Sequence, residues 1–373
     1  MFDQQSRLLL TGASGFLGGA IVADLLPRAQ WPAVRLQVRA ADRAEAVARV
    51  REVLTRFEVA ADLCARLKPE QIILGDLRDP QAMCADPQMA SITHVINSAA
   101  LATFANNPQL WAINVDGTFA FARRLSEIAH LKRFIHVGTA MCVGPDAPVP
   151  VPEDYIAPAP IRHLVPYSET KLEIENRLKR ELPALPLVQA RLTIVVGHSR
   201  LGTRPSGSIY WVFRTAQLLE RFTVPIDGRI DVVPVDWAAH TLVEMALKPT
   251  LKHRFYHLSA GPRHASTFAE LDAAMAAGRG VAPIRERYRQ ATLEELDAMS
   301  GQYVTRLGPC HPRIMQRAIR LYGSFAALNM TFRNEHLQDD GFALPPPFAS
   351  YAGLCAASSE GTTIADQMMA DFK

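Results

Sequence analysis

Short runs of apolar residues alternate along the first half of the chain with longer stretches in which apolar positions recur at helical spacing. The longer stretches include Phe16 to Leu26 and Trp111 to Ala129. Strands that are regularly separated by helices predict an α/β fold with a doubly wound parallel sheet. The predicted strands are Arg7 to Thr11, Val34 to Arg39, Gln71 to Gly75, His94 to Asn97, Arg133 to Val137 and Leu187 to Val196.

An additional helix is predicted between the second and third strands. Four apolar residues there are spaced by three, four and three positions and form one stripe, which is typical of core packing. They are Val47, Val50, Leu54 and Phe57.

The regular alternation of strands and helices ends after Val196, where Pro, Gly and Arg become frequent. We therefore predict an α/β domain over residues 1–196. A smaller, mainly helical C-terminal substrate lobe is predicted over residues 197–373, with the chain returning to the sheet around residues 230–260.

The composition is that of a globular protein with a large core. The chain has 373 residues, of which 49% are hydrophobic and 21% charged, and its formal net charge is +3. This charge is small and dispersed, and no basic run is interleaved with aromatic residues. We therefore expect no nucleic-acid partner.

Cysteine usage and the N-terminal segment bear on metals and on the compartment. The five cysteines show no CxxC pair and no metal-ligand spacing, and the histidines are scattered, so no metal site is predicted. The N-terminus has no basic segment followed by a cleavage site, and no apolar run reaches the roughly 20 residues of a membrane span. These features predict a cytoplasmic protein with reduced thiols.

The first predicted strand runs directly into the glycine-rich sequence TGASGFLGG. Such a turn lets backbone amides approach a pyrophosphate, and the helix that follows directs its positive end at the phosphate charge. A tight turn without a ligand is the alternative, but a position between strand and helix at the start of the fold favours dinucleotide binding in a Rossmann domain. The predicted phosphate-binding residues are Thr11, Gly12, Ser14, Gly15, Phe16, Leu17 and Gly18.

Arg39, at the end of the second predicted strand, bears on the choice of cofactor. A carboxylate at this place would bind the ribose diol of NAD, whereas a guanidinium suits the 2′-phosphate of NADP(H). The sequence therefore favours NADPH, although a solvated surface arginine is the simpler alternative.

Small and polar residues follow the third and fourth predicted strands, at the edge where open α/β sheets hold their ligands. Asp76, in LGDL, could accept a hydrogen bond from the adenine amino group or cap the next turn. The small residues of NSAA would let the chain pass close to a cofactor ribose. The candidate cofactor contacts in these two segments are Asp76, Leu77, Ser98, Ala99 and Ala100.

Two further features point to chemistry. Thr139 follows the fifth predicted strand, so its hydroxyl would emerge at the same edge of the sheet. Tyr167 and Lys171 are four residues apart at the start of a predicted helix, and side chains at this spacing share one helix face. A cation beside a phenol makes the phenol a better acid, although an ordinary surface pair would have the same spacing.

Taken in order, these motifs resemble those of the extended short-chain dehydrogenase/reductase family. The family pattern is TGxxGFxG near the start, an aspartate after the third strand, a serine or threonine after the fifth, and YxxxK about thirty residues later. The resemblance implies that Lys171 holds the nicotinamide ribose and lowers the pKa of Tyr167. It also implies that Tyr167 donates its proton to the substrate oxygen while Thr139 hydrogen-bonds the same oxygen. Asn114, in NVDGT, matches a cofactor-side segment of the family and is expected to tie a helix to the site loops.

Within that family the sequence is similar to the thioester-reductase and fatty acyl-CoA reductase branch. The similarity rests on LLLTGASGFLGGAIVADLL, on LQVRA, on the additional Arg-rich helical segment and on GDLRDP. The chain departs from the usual pattern in two places: Gly138 stands where a serine commonly precedes the threonine, and Leu192 stands where proline is usual. The sequence contains no carrier or adenylation module, so we expect the acyl group to arrive on a separate acyl carrier protein or on coenzyme A.

Two groups of arginines in the C-terminal lobe could receive such a carrier or the phosphates of coenzyme A, or could be solvated surface residues. They are Arg313, Arg317 and Arg320, and Arg279, Arg285, Arg287 and Arg289.

Three functions are compatible with the sequence. The first is NADPH-dependent reduction of an acyl thioester, either to the aldehyde only or further to the alcohol. The second keeps the site but acts on a ketone or a sugar nucleotide, as a ketoreductase, epimerase or dehydratase. The third is a non-enzymatic NADPH sensor, which the intact set of Thr139, Tyr167 and Lys171 disfavours. For the thioester, we expect a mostly apolar cavity leading to Thr139 and Tyr167, with an arginine from residues 200–320 at its rim.

Overall fold

The structure, a computed structural model, describes residues 2–371. The strands are β1 (Leu8–Thr11), β2 (Val34–Val38), β3 (Ile72–Leu74), β4 (His94–Asn97), β5 (Arg133–Thr139), β6 (Leu187–Leu192), β7 (Ile194–Val195), β8 (Arg221–Phe222), β9 (Arg229–Ile230), β10 (Val232–Val233), β11 (Phe255–Leu258), β12 (Ser266–Thr267) and β13 (Arg289–Gln290).

The α-helices are α1 (Phe16–Leu25), α2 (Arg43–Arg56), α3 (Ala61–Cys64), α4 (Pro80–Cys84), α5 (Gln109–Trp111), α6 (Thr118–Ser126), α7 (Pro166–Glu181), α8 (Tyr210–Leu219), α9 (Val235–Leu247), α10 (Gly261–His264), α11 (Phe268–Gly278), α12 (Leu293–Ala298), α13 (Tyr303–Leu307), α14 (Pro312–Ala326), α15 (Glu335–Asp339), α16 (Ala349–Ser358) and α17 (Ile364–Asp371).

Seven of these strands form one parallel sheet in the order β11-β6-β5-β4-β1-β2-β3. The predicted doubly wound parallel sheet is therefore confirmed. The chain winds in opposite directions from β1, because β2 and β4 pair with its two edges. At such a switch point the loops after the strands diverge and leave a crevice for a ligand.

Both faces of the sheet are covered, which explains why its strands read as nearly continuous apolar runs. In β1, Leu8 and Leu10 belong to the core shared with α1, α2 and α9, whereas Leu9 belongs to the core on the opposite face. The opposite core is completed by residues of α6 and α7, such as Phe121 and Ile174.

The additional helix predicted between β2 and β3 is α2. The carboxylate of Asp42 caps it by accepting a hydrogen bond from the Glu45 amide at 2.8 Å. Its apolar stripe is buried against α1, where Gly19 permits close contact: a Cβ at that position would lie 2.3 Å from a methyl group of Val53.

Two predicted elements differ from the structure. The run Leu187 to Val196 is not one strand, because β6 ends at Leu192 and β7 leaves the main sheet to pair with β10. Both segments lie among buried apolar residues, so the apolar pattern does not mark the change of partner. The helix predicted from Trp111 is interrupted by a π-helical turn at Ala112–Gly117, where the chain packs closely on Leu77.

The C-terminal part is mainly helical and encloses a core of its own. Large buried residues of this core include Trp211 on α8, Phe268 on α11 and Tyr303 on α13. Helices α11 and α16 approach closely at Gly278 and Gly353. Because β11 lies beside β6 in the main sheet, residues beyond 197 contribute to both parts. The domain boundary near residue 197 stays a prediction.

Candidate active site

The glycine-rich turn after β1 has the geometry that a phosphate group requires. Gly12 has a φ of +73°, and a Cβ on Gly18 would lie 1.9 Å from the Gly12 carbonyl oxygen, so a larger residue at position 18 would clash with the turn. Helix α1 starts at Phe16, and no side chain caps its N-terminus. Its first amide groups therefore remain available to an anion. These residues fit the pyrophosphate of a dinucleotide.

Hydrogen bonds tie this turn to the loop after β4. Thr11 donates its hydroxyl proton to Asn97 Oδ1 at 2.8 Å and accepts from the Ala99 amide, while the Ser98 hydroxyl donates to the Thr11 carbonyl at 2.7 Å. Gln37 of β2, which sequence reasoning missed, links the Gly12 amide to the Gly75 carbonyl. Thr11 and Ala99 are thus positioned as supports of the turn.

Arg39 lies at the end of β2 with 61% of its side chain exposed. Its guanidinium is 3.8 Å from Asp76, whose carboxylate is held more tightly by Arg78 at 2.7 Å. Despite the desolvation of Asp76, these arginines and the Arg78 amide lower the pKa of its carboxyl group. Arg49 of α2 donates to the carbonyl oxygen of Arg39 and brings another guanidinium to this edge. Sequence reasoning did not identify Arg49. The available signal was its place on α2, directly before Val50 of the buried apolar stripe.

Two other candidate cofactor contacts are held inside the protein. The Leu77 side chain is buried in the core that includes α6, so only its backbone remains for a contact. The Asn114 amide group bonds both backbone groups of Leu101 and donates to the Thr170 hydroxyl of α7 at 3.3 Å. Asn114 therefore joins the site loop to α7, which is the tie expected from its segment.

Tyr167 and Lys171 share one face of α7, which starts at Pro166. The Lys171 ammonium lies 5.9 Å from the centre of the Tyr167 ring and donates a hydrogen bond to the Val137 carbonyl of β5 at 2.9 Å. Thr139 ends β5, and its hydroxyl oxygen accepts from the Met141 amide at 3.3 Å. Thr139, Tyr167 and Lys171 line the same cavity.

The electrostatics of the pair differ from the expectation. Burial raises the pKa of Tyr167 and lowers the pKa of Lys171 to about 8, the latter against the opposing effect of Glu175. The expected lowering of the tyrosine pKa by Lys171 is therefore absent in this structure. The physical reason is that desolvation of the phenol dominates, and the ammonium hydrogen-bonds Val137.

One cavity of about 460 Å³ joins the glycine-rich turn, the candidate residues Thr139, Tyr167 and Lys171, and the C-terminal core. Its lining is mostly apolar, and much of it is formed by C-terminal residues that sequence reasoning did not identify. Arg229 lines it as well and is exposed, so the expected arginine lies at the rim. The apolar C-terminal residues of the lining include Val212, Phe213, Phe222, Phe268, Phe325 and Phe332.

An aromatic cluster covers the cavity next to Tyr167. Phe104, in the loop after β4, has its ring 6.1 Å from the ring of Tyr167. The same ring lies 5.3 Å from Tyr322 and 5.3 Å from Phe325, both on α14. Helix α14 is thereby placed against the loop that borders the site.

The two departures from the family pattern have different surroundings. Leu192 is buried and lines the cavity. At Gly138 a side chain would collide with Glu175, because a Cβ would lie 2.2 Å from its Oε1 atom. Glu175 was missed by sequence reasoning, although it continues the four-residue spacing of Tyr167 and Lys171.

The two arginine groups differ in their partners. In the second group, Arg285 and Arg287 lie within ion-pair distance of Asp227 and Glu220, at 3.7 and 2.7 Å. In the first group, Arg320 pairs with Asp297. Arg313 and Arg317 are exposed on α14 and form no ion pair with another described residue.

Residues 2–371 provide neither a metal-ligand cluster nor a membrane-spanning helix. No group of three or more His, Cys, Asp or Glu residues in this range could hold a metal ion. No helix there has both the length and the apolar character needed to cross a bilayer.

Comparison with known proteins places the chain in a family. A sequence model described as male sterility protein, an NAD-binding family, matches residues 10–242. Aldehyde reductase lnaA of Aspergillus flavus is 26% identical over 341 residues, which cover 84% of this chain and 31% of the relative. Fatty acyl-CoA reductase wat of Drosophila melanogaster is 26% identical over 287 residues, which cover 66% and 55%. The chain thus spans less than two thirds of either relative.

Solved structures share the fold. The terminal R domain of the myxalamid PKS-NRPS pathway superimposes with a TM-score of 0.75 at 21% identity, over 95% of this chain and 90% of that one. A thiolation-reductase di-domain of an archaeal non-ribosomal peptide synthetase gives 0.65 at 16% identity, over 95% and 90%. The Bordetella bronchiseptica enzyme WbmG, in complex with NAD and UDP, gives 0.61 at 17% identity, over 97% and 96%.

The match to the family covers more than half of the chain, and the fold and the glycine-rich turn agree with it. The chain therefore belongs to the male sterility protein family, an NAD-binding family.

Proposed function

We propose that this protein reduces an acyl thioester to the aldehyde with NADPH. The observation that carries the proposal is the mostly apolar cavity that runs from the glycine-rich turn past Thr139 and Tyr167 into the C-terminal core. An acyl chain fits an apolar space of this kind, whereas a sugar nucleotide needs many hydrogen-bonding side chains. Two relatives support a reduction by their names: one is an aldehyde reductase and the other a fatty acyl-CoA reductase.

NADPH is the proposed cofactor because guanidinium groups surround the end of β2. Arg39 is mostly exposed, and its guanidinium lies 3.8 Å from the Asp76 carboxylate, too far for a hydrogen bond. It can therefore turn towards a 2′-phosphate. Arg49 is anchored at the Arg39 carbonyl and supplies a second charge. Two guanidinium groups recognise a phosphate by charge-assisted hydrogen bonds, and a ribose diol offers no such charge.

The protein's own residues act on the substrate oxygen, while the nicotinamide supplies a hydride to the carbonyl carbon when bound. Thr139 donates a hydrogen bond to the oxygen as negative charge develops, and Tyr167 gives it a proton. Tyr167 then takes this proton back as the carbon–oxygen double bond re-forms and the carbon–sulfur bond breaks. The thiolate leaves and is protonated from solvent, so thioester, NADPH and one proton yield aldehyde, thiol and NADP⁺.

Lys171 is proposed to move from Val137 to the ribose and the phenol when the cofactor binds. The amine is within hydrogen-bond distance of Val137 in this structure, yet it belongs to the same cavity as the Tyr167 phenol. A cation brought closer to a buried phenol stabilises the phenolate strongly, because the surroundings screen little.

An acyl carrier protein is the proposed donor, and the exposed face of α13 and α14 is its proposed docking surface. This face carries Arg313 and Arg317 beside the exposed apolar side chains Val304 and Ile314. A partner helix with acidic and apolar residues is complementary to it.

The distance between this face and the cavity supports an acyl carrier protein as the donor of the acyl group. Phe325 lines the cavity at the other end of α14, and at 1.5 Å per residue it lies roughly 12 to 18 Å along the axis from Arg317 and Arg313. A phosphopantetheine arm is about as long as five extended residues, roughly 17 Å. An acyl group on such an arm can therefore reach the cavity while its carrier remains at the docking surface.

A panel of acyl-CoA, acyl-N-acetylcysteamine and acyl-carrier thioesters, incubated with NADPH and analysed for aldehyde and alcohol, tests the proposal. We expect aldehyde from at least one apolar acyl thioester. Turnover of small ketones or of a nucleotide sugar, with none of any thioester, would contradict it.

A further inference from the structure

Glu175 is a buried carboxylate directly behind the catalytic residues. It lies on α7, four residues after Lys171 and eight after Tyr167, and only 1% of it is exposed. Arg191 of β6, itself 6% exposed, donates to one oxygen of this carboxylate, with Nε at 2.9 Å and a terminal nitrogen at 2.7 Å. A buried ion pair of this kind is costly to form and strongly destabilising to break on one side.

The second carboxylate oxygen, Oε1, has no hydrogen-bond partner among the described residues. It occupies the space that a side chain at Gly138 would fill, since a Cβ there would lie 2.2 Å away. Gly138 stands in β5 between Val137, whose carbonyl holds Lys171, and Thr139. The free oxygen thus lies against the segment of β5 that supports two catalytic groups.

Charged and titratable groups surround Lys171 and Glu175. On α7 they are Tyr167 and Lys179; β5 contributes His136, β6 contributes Arg191, and the turn after β5 contributes Cys142. Burial lowers the pKa of His136 well below its usual value and raises the pKa of Cys142 to about 12, so both are neutral at pH 7. Glu175 is then the carboxylate that offsets the burial of the Lys171 ammonium and the Arg191 guanidinium.

We propose that Glu175 is a positioning residue that keeps Lys171 cationic and orders the end of β5, and that glycine at position 138 provides the room for this carboxylate. The inference rests on the proposed function of Lys171 in holding the cofactor and tuning Tyr167. When Tyr167 has given up its proton, the cluster of Lys171, Arg191, Glu175 and the phenolate is electrically neutral. Glu175 therefore leaves one positive charge for the phenolate to balance.

The test is the pH dependence of NADPH binding in Glu175→Gln, measured by nucleotide fluorescence with no acyl substrate present. The pKa of Lys171 is about 8 with Glu175 in place. Loss of the carboxylate favours the neutral amine, so the alkaline loss of NADPH affinity should move to lower pH by about one unit or more. Glu173→Gln, on the same helix, is the control and should keep the wild-type profile. Because this readout needs no thioester, it remains valid if the proposed substrate is wrong.

If Glu175→Gln fails to fold, two variants at Gly138 test the same proposal. Gly138→Ala should reduce NADPH affinity and turnover at least tenfold, because the added methyl displaces the carboxylate. The double variant Gly138→Ala with Glu175→Asp shortens the acid by one methylene and should recover part of the loss. A wild-type pH profile in folded Glu175→Gln, with only a lower melting temperature, would overturn the proposal. Equal losses of NADPH affinity and turnover in Gly138→Ala and in the double variant would also overturn it.

Discussion

The Lys171 ammonium lies 5.9 Å from the centre of the Tyr167 ring and hydrogen-bonds the Val137 carbonyl at 2.9 Å. The cation that should make the phenol acidic is therefore held by β5 in this structure. Burial is the largest influence on both groups: it raises the pKa of Tyr167 and, against the opposing effect of Glu175, lowers that of Lys171 to about 8. Binding and proton transfer should consequently respond differently to substitutions at the two positions.

Tyr167→Phe should leave NADPH affinity nearly unchanged while turnover falls by roughly a hundredfold or more, because only the acid is removed. Lys171→Met should weaken both, since the lysine is assigned to the ribose as well as to the phenol. Titration of NADPH fluorescence and steady-state turnover separate the two effects. Unchanged turnover in Tyr167→Phe would show that the proton comes from another group.

Arg39→Asp should weaken NADPH binding by about 1.5 to 3 kcal/mol, which is the usual contribution of a hydrogen bond to a charged group. NADH affinity should change little, because NADH has no 2′-phosphate. Arg56→Asp is a matched control, since Arg56 is exposed at the far end of α2 and pairs with Glu52. Similar affinities of the wild-type protein for NADH and NADPH would contradict the assignment of Arg39.

Ala326→Phe should raise the KM of an acyl thioester several-fold and leave NADPH affinity unchanged, because Ala326 lines the cavity at the end of α14. Ala327→Phe is the control: the residue is exposed and does not line the cavity. Acyl-N-acetylcysteamine substrates of increasing chain length should show the largest effect for the longest chain. Identical kinetics in both variants would place the acyl group elsewhere.

Arg313→Glu with Arg317→Glu should reduce kcat/KM for an acyl carrier substrate about tenfold or more at low salt, since the docking face would repel an acidic helix. The short N-acetylcysteamine thioester should react as before. Arg285→Glu with Arg287→Glu is the matched control, because those arginines face acidic residues. Equal losses for carrier-bound and short substrates would exclude this face as the docking surface.

The sequence predicted the sheet well because the apolar runs of its strands are bounded by polar or loop residues. β4 was predicted with its observed limits at His94 and Asn97, since both sides of the run change abruptly to loop residues. The division at Thr193 was missed, because β7 packs against apolar residues and stays apolar although it pairs with β10 outside the main sheet.

The candidate site was predictable only where spacing carries information. The glycine-rich turn and the Tyr167–Lys171 pair follow from local spacing. Phe104 and Phe325 are more than 200 residues apart and meet at the cavity only through the tertiary fold. Glu175 is buried by its contacts with Arg191 and Gly138, which lie on β6 and β5 and leave no mark in the spacing along α7.

Transfer of deuterium from NADPH labelled at C4 of the nicotinamide tests the central claim most directly. With an apolar acyl thioester, the account expects an aldehyde that carries one deuterium on its carbonyl carbon, formed one-to-one with free thiol and NADP⁺, and strongly slowed in Tyr167→Phe. Thiol release without NADPH oxidation, or deuterium in a ketone or sugar product and in no acyl product, would contradict the account.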